Sequence, residues 1–431
     1  MFQNTKLKNG INLITAPVKG TKAATILIMI GAGSKYESRN NNGISHFLEH
    51  MFFKGTAKRP TAIGISSELD KLGCEFNAFT SKEYTGYWIK VDANNFEIAV
   101  DILSDMIINS KFDADEINRE RGVIIEEINM YEDNPMMHIE DVFEECLYGD
   151  IPAGWETIGT KENIKNFSRE QFTEYFKRQY NTKNTIICLA GNVNSRMAKM
   201  VDKYMGGYKS GQGFREKEAV KIKLSAPKVK LLYKKTDQAH ISLGAHTASY
   251  NYPDKLAIKF FSIVLGGSMS SRLFYNLRER NGLAYYVRTG TEFYTDSGYI
   301  TTTAGVPVAK VKQAIEIILK EYKKISTELI TKEEIERNID LICGRTVIQL
   351  EASDNIANWY GRQAVMNLTL KRTKQNAPKI ETPEEFLKKI RAIKPAEIRK
   401  VAKEIFQPKN LNLAVIGPFK EKKEFQKILK F

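Results

Sequence analysis

Gly43-Ile44-Ser45-His46-Phe47-Leu48-Glu49-His50-Met51-Phe52-Phe53-Lys54-Gly55 is the stretch from which the rest of the chain can be read. Its apolar middle predicts a short helix, with Asn41 or Asn42 as N-cap and Gly55 as the stop. On a helix His46 and His50 lie one turn apart and point the same way, while Glu49 sits three residues after the first and beside the second. Two imidazoles so placed offer neutral nitrogen ligands to zinc, and the carboxylate is held close by without being a ligand.

The order H-x-x-E-H inverts the H-E-x-x-H zinc motif. The chain has only five histidines, so two of them bracketing a glutamate at this spacing is not expected from composition. The bland reading is a pair of buried helix-face histidines satisfied by backbone carbonyls. Two histidines leave a catalytic zinc one protein ligand short. The best region to supply a carboxylate is 116–132, where Ile117, Glu120, Ile124 and Glu127 share one helical face and put two acids in line, unlike an ordinary core stripe. Spacing alone leaves the choice open: Glu127 shares the face of Glu120, and Glu126 points away from it by roughly 100 degrees.

Composition fits a globular chain. Its 431 residues, 42% hydrophobic, suffice for two or more domains. Cys74, Cys146, Cys188 and Cys343 are scattered with no C-x-x-C pair, so a disulfide scaffold is not expected and a reducing, cytoplasmic setting is. The N-terminus runs directly into a hairpin around Asn9-Gly10, leaving no room for a signal peptide, and no apolar run of membrane-spanning length follows. The net charge of +14 raises nucleic acid as a partner, yet the lysines are spread along the whole chain and no nucleic-acid module is present. Gly31-Ala32-Gly33-Ser34 after the strand 23–30 invites a nucleotide reading, which fails because neither phosphate-binding fingerprint is complete. His138 has no partner pattern. His240 and His246, six apart on a strand, end about 20 Å apart, so a second zinc site is not expected.

The second half repeats the first. Residues 394–402 and 411–418 resemble 168–180 and 185–192, and Gly191 to Gly417 spans 417 − 191 = 226 residues, which points to a duplicated unit. A polar, glycine-rich stretch lies between the copies. The domains are therefore expected at 1–207 and 223–431, with 208–222 as linker, and only the first copy carries the histidine motif.

In these residues the chain resembles the pitrilysin-like (M16) zinc metallopeptidases, or inverzincins, most closely their processing-peptidase branch, over almost its full length. In that family the third ligand follows the second histidine by about 77 residues, and 127 − 50 = 77 selects Glu127; a glutamate seven earlier orients the site, which maps onto Glu120. The resemblance further implies that Asn77, Ala78 and Phe79 form an edge strand beside the metal, where an extended peptide adds as one more strand. A glycine loop and helix at 266–287 resembles the family's second signature, whose arginine and tyrosine seven apart match Arg278 and Tyr285. Implied overall are an α+β clamshell of two homologous domains, each an antiparallel sheet covered by helices, and one Zn²⁺ per chain. The implied activity is metalloendopeptidase cleavage of short or unfolded polypeptides with Glu49 as general base, by a homodimer. The competing expectations are a non-catalytic peptide-binding or assembly subunit and a metal hydrolase with a non-peptide substrate.

Overall fold

The computed structural model describes residues 2–211 and 213–430. Met1, Gln212 and Phe431, and with them the outer ends of the two expected domains and one position of the expected linker, lie outside the described residues.

The described strands form two sheets. The first contains β1 (Gln3–Lys6), β2 (Asn12–Pro17), β3 (Ala23–Ile30), β4 (Glu75–Thr80), β5 (Thr85–Asp92) and β6 (Thr185–Gly191), in the order β1-β2-β6-β3-β5-β4. The second contains β7 (Lys228–Tyr233), β8 (Gln238–Thr247), β9 (Tyr286–Phe293), β10 (Gly298–Pro307) and β11 (Leu411–Gly417), in the order β7-β11-β8-β10-β9. Set β1 aside and the two orders are the same permutation. Each sheet is antiparallel except for one parallel pair in the same place, β2 with β6 and β7 with β11. The fold is α+β, and the repeat seen around Gly191 and Gly417 is a repeat of topology.

The compact units do not follow chain order. One comprises 1–128, 156–218 and 346–383; the other comprises 129–155, 219–345 and 384–431. A boundary at 208–222 separates the two sheets, but it does not separate the units. The helix Ser353–Arg372, from the second half of the chain, packs on β3 and β6, and the helix Pro135–Tyr148, from the first half, packs on β11 and β8. Each sheet is thus covered on one face by a helix encoded in the opposite repeat. An amphipathic stripe shows that a helix must bury a face; it does not say against which sheet.

In the first unit both faces of β3 are buried, which is why Ala23–Ile30 reads as an unbroken apolar run. Ile26, Ile28 and Ile30 join a core with Phe47, Leu48, Ile102 and Leu189. Leu27 and Met29 alternate to the other side and meet Gly361 of the helix Ser353–Arg372, where an added Cβ would come within 2.7 Å of Met29 Sδ. Thr25 and Ser353 exchange a buried hydroxyl hydrogen bond of 2.8 Å. Part of the stretch expected as linker is fastened to this unit. The Arg372 guanidinium lies 3.6 Å from the Phe214 ring centroid, its Nε donates to Glu216 at 2.6 Å, and Lys217 pairs with Glu83 at 3.2 Å. In the second unit, one face of the sheet packs Leu243, Ile300 and Leu413 against Phe260 and Ile318, while the other packs Tyr299 and Ile416 against Val142 and Phe143. Among the described residues no helix is long and apolar enough to cross a membrane.

Candidate metal centre

The motif helix runs from Ile44 to Met51 and buries Phe47, Leu48 and Met51, with Phe47 edge-on to Phe172 at 4.8 Å. Its start differs from the expectation. Neither Asn41 nor Asn42 caps it: the N-cap is Gly43, at φ +100°, where a side chain would collide with the Ile158 carbonyl 2.7 Å away. The capping charge comes from Glu37, whose Oε2 accepts from Gly43 N at 2.8 Å and whose Oε1 accepts from Ser45 N at 2.8 Å. Burial pushes the Glu37 carboxyl up, and the hydrogen bonds from Ser45, Gly43 and Asn42 only partly offset it. A carboxylate at this end answers the positive pole of the helix. After Met51 a turn continues through Lys54 to Gly55, at φ +131°, so Gly55 stops the chain a turn beyond the helix proper.

His46 and His50 project from the same face, ring centroids 4.7 Å apart. Glu127, on the helix Ala114–Asp133, meets both: its Oε2 is 3.7 Å from each Nε2. One ligand atom from each of the three residues falls within 4.8 Å of the others, the one such group of histidine, cysteine and acidic residues among the described residues, and Glu126 is not in it. Burial, then the neighbouring His50, lowers the His46 pKa to about 3, so its imidazole stays neutral, while Nδ1 is buried without a partner. A neutral, largely buried imidazole facing a second imidazole and a carboxylate is a donor set that fits zinc.

Glu120 stands behind His50. Its Oε1 meets His50 Nδ1 at 2.8 Å and its Oε2 meets Lys54 Nζ at 2.6 Å. Burial alone would raise the Glu120 carboxyl; the His50 and Lys54 contacts outweigh it, and the net shift is downward. With a carboxylate on Nδ1, that nitrogen is assigned the proton, leaving the Nε2 lone pair towards Glu127. Glu49 accepts a hydrogen bond from the Thr80 hydroxyl at Oε2. Burial raises its carboxyl and the nearby Glu127 adds to this, against the Thr80 bond and His50. The Glu127 carboxyl is likewise raised, by burial first.

Asn77, Ala78 and Phe79 lie on β4, which ends the first sheet and pairs only with β5 among the described strands. Asn77 Oδ1 accepts from Ala78 N at 2.8 Å, and Phe79 covers Gly86 so closely that any Cβ there would strike its ring. Arg278 and Tyr285 belong to the other unit. Arg278 lies in the last turn of a π-helical segment, Phe274–Glu279, of the kind often found at functional sites. Its guanidinium donates to the Tyr285 carbonyl at 3.0 Å, lies 4.9 Å from the Phe274 ring centroid, and is 3.8 Å from Glu279. Tyr285 is not a core residue: it is 78% exposed. His240 is held by Tyr286, with Nδ1 to Oη 2.9 Å.

The family model for the insulinase peptidases (family M16) matches residues 13–161, and the model for the M16 inactive domain matches 166–342. This chain belongs to the M16 peptidase family. An uncharacterized zinc protease of Bacillus subtilis is 32% identical to it over 97% of this chain and 98% of its own, and one of Rickettsia bellii is 33% identical over 97% and 98%. Among solved structures, a protease from Helicobacter pylori superposes with a TM-score of 0.86 at 22% identity, covering 97% of this chain and 100% of its own, which is a likeness of fold.

Three residues of this M16 chain escaped the reading of its sequence. Glu37 caps the motif helix from outside it, and nothing in its local pattern marks it. Thr80 could have been found, because it lies on the strand of Asn77 to Phe79, one position beyond them. Lys54 could also have been found, since it follows His50 by four residues and so falls on the histidine side of the extended turn.

Proposed function

We propose that this M16 chain is a zinc-dependent metalloendopeptidase that hydrolyses peptide bonds in short or unfolded polypeptides. The observation that carries this reading is the convergence of His46, His50 and Glu127 on one point, with Glu49 beside them. His46 Nε2, His50 Nε2 and a Glu127 carboxylate oxygen would hold one zinc ion. Bound there, zinc would supply Lewis acidity, polarising a scissile carbonyl and lowering the pKa of a water. Glu49 has one oxygen engaged by Thr80 and the other available to take a proton; its burial raises its basicity towards a useful range. The same carboxyl then delivers that proton to the leaving amine. The open edge of β4 offers backbone donors and acceptors to an extended peptide, a mode that tolerates many side chains. Arg278 and Tyr285 are proposed as hydrogen-bond donors to substrate, and the working form as a homodimer of about 98 kDa, 2 × 49.1 kDa.

A non-catalytic binding subunit needs no positioned base, so the presence of Glu49 with its Thr80 support favours the peptidase reading. The test is cleavage of an unstructured peptide of about twenty residues by the purified chain, before and after chelation, with metal content measured alongside. Cleavage lost with the metal and restored by zinc is expected. A chain that binds zinc and the peptide yet never cleaves any of a varied peptide set is instead the binding subunit. Light scattering over a concentration series checks the dimer; a mass that stays near 49 kDa with activity intact rejects it.

A further inference from the structure

We propose that Lys54 is a positioning residue of the metal centre, holding Glu120 so that it orients His50 and does not compete as a ligand. The inference rests on the zinc reading above and extends it to a residue one layer further out.

Glu120 is 4% exposed, and its two oxygens are divided between two partners, Oε1 on His50 Nδ1 at 2.8 Å and Oε2 on Lys54 Nζ at 2.6 Å. Both partners come from one continuous segment. His50 lies in the last turn of the motif helix and Lys54 four residues on, its backbone N–H bonded to the Met51 carbonyl at 3.2 Å. The pair therefore brackets a carboxylate delivered by a different helix. The lysine side chain is 25% exposed, so it reaches inward to a buried anion while keeping some contact with water.

The arrangement solves a problem the site would otherwise have. A dication attracts every carboxylate near it, and Glu120 sits on the same helical face as Glu127. Held by His50 alone, the Glu120 carboxyl could swing about that one bond and leave a buried oxygen unpaired. Held by both, it has a fixed plane, and the ring of His50 is fixed with it. Groups that orient a ligating histidine typically change metal affinity by 10–100-fold when removed.

Positioning and simple charge make opposite forecasts. Lys54 is a cation near a cation site, so by Coulomb repulsion alone its removal would tighten zinc binding. By positioning, its removal loosens zinc. The experiment measures the zinc Kd of the full chain by competition with a chromophoric chelator, with the Co²⁺ absorption spectrum as a report on ligand geometry. K54M is expected to weaken zinc by about ten-fold and to alter the cobalt spectrum, with K54R close to wild type. In an E120Q background the same K54M change is expected to have no weakening effect, because the group it acts through is gone. Should K54M fail to fold, K54Q replaces it in both backgrounds.

Unchanged or tighter zinc in K54M, or equal weakening with and without Glu120, overturns the inference while leaving the zinc reading intact. A wild-type chain that binds no zinc overturns both.

Discussion

Thr80 donates its hydroxyl to Glu49 Oε2, and Thr80 is the last residue of the strand that carries Asn77, Ala78 and Phe79. One strand thus presents an open edge for a peptide and steers the carboxylate proposed to act on it. Thr80→Val keeps the shape and removes the donor. Its kcat is expected to fall about ten-fold with KM nearly unchanged, the loss of one hydrogen bond to a charged group. Thr80→Ser is expected to restore most of the rate, and zinc affinity is expected to be the same in all three proteins. A fall in zinc content in Thr80→Val would mean that the threonine supports the metal instead of the base.

Glu49 and Glu127 are both partly buried carboxylates with raised pKa values, yet they are proposed to act differently, one moving a proton and one holding zinc. Glu49→Gln is expected to retain near-stoichiometric zinc and lose cleavage, since an amide cannot accept the proton. Glu127→Gln is expected to lose zinc itself, because an anionic ligand goes. Metal analysis beside a cleavage assay separates them. Full activity in Glu49→Gln would remove the general-base assignment, and tight zinc in Glu127→Gln would move the third ligand elsewhere.

His246, on β8 in the second unit, is expected to make stability depend on pH. It is 7% exposed beside the Tyr148 ring, with Nδ1 unpartnered. Burial, then the charge of Lys228, lowers its pKa from 6.5 to about 4, against the Leu147 carbonyl. Above pH 6.5 both folded and unfolded chains hold it neutral. Below that the unfolded chain takes up a proton and the folded chain does not, so stability is lost as pH falls from about 6.5 to about 4. Urea titrations at pH 7.5 and pH 5 should show a loss of about 2 kcal/mol from this one group. His246→Phe is expected to remove that part of the pH dependence; an unchanged dependence would show that other groups carry it.

The motif helix and the two acids in line on 116–132 were legible because their periodicities and spacings are local, whereas the edge position of Asn77 to Phe79 came from the family resemblance. The Glu37 cap was not, because Glu37 precedes Gly43 by six residues and lies outside any capping pattern of the helix itself; the exchange of helices was not, because it joins residues far apart in sequence. The exchange has a consequence for fragments. A chain ending at residue 222 would lack Ser353–Arg372, whose buried Ile356, Ala357, Tyr360, Ala364 and Val365 belong to the first unit. Residues 1–222 are therefore expected to be insoluble or to lack a cooperative urea transition, since one face of the first sheet would be stripped of its cover. A fragment that unfolds cooperatively and binds zinc like the full chain would show that this helix is dispensable.

Arg278 and Tyr285 are joined by a hydrogen bond from side chain to backbone. They sit side by side in the second unit, the guanidinium bonded to the tyrosine's own carbonyl, so the tyrosine backbone is fixed while its 78% exposed ring and hydroxyl are left to act. An arrangement that restrains a backbone and presents a phenol suits donation to a peptide carbonyl or to developing negative charge. The metal-ligand group lies in the first unit, and the role proposed for this pair is to grip substrate. Tyr285→Phe is expected to lower kcat/KM on an unstructured peptide by roughly ten- to a hundred-fold, the range for one donor to a charged group, with zinc affinity unaltered. Arg278→Ala is expected to do at least as much, because it removes a donor and releases the turn that holds Tyr285. Thermal unfolding separates the two contributions, since Tyr285→Phe deletes only an exposed hydroxyl and should leave Tm unchanged. If both variants cleave at the wild-type rate, the pair is structural, and the chemistry belongs to the first unit alone.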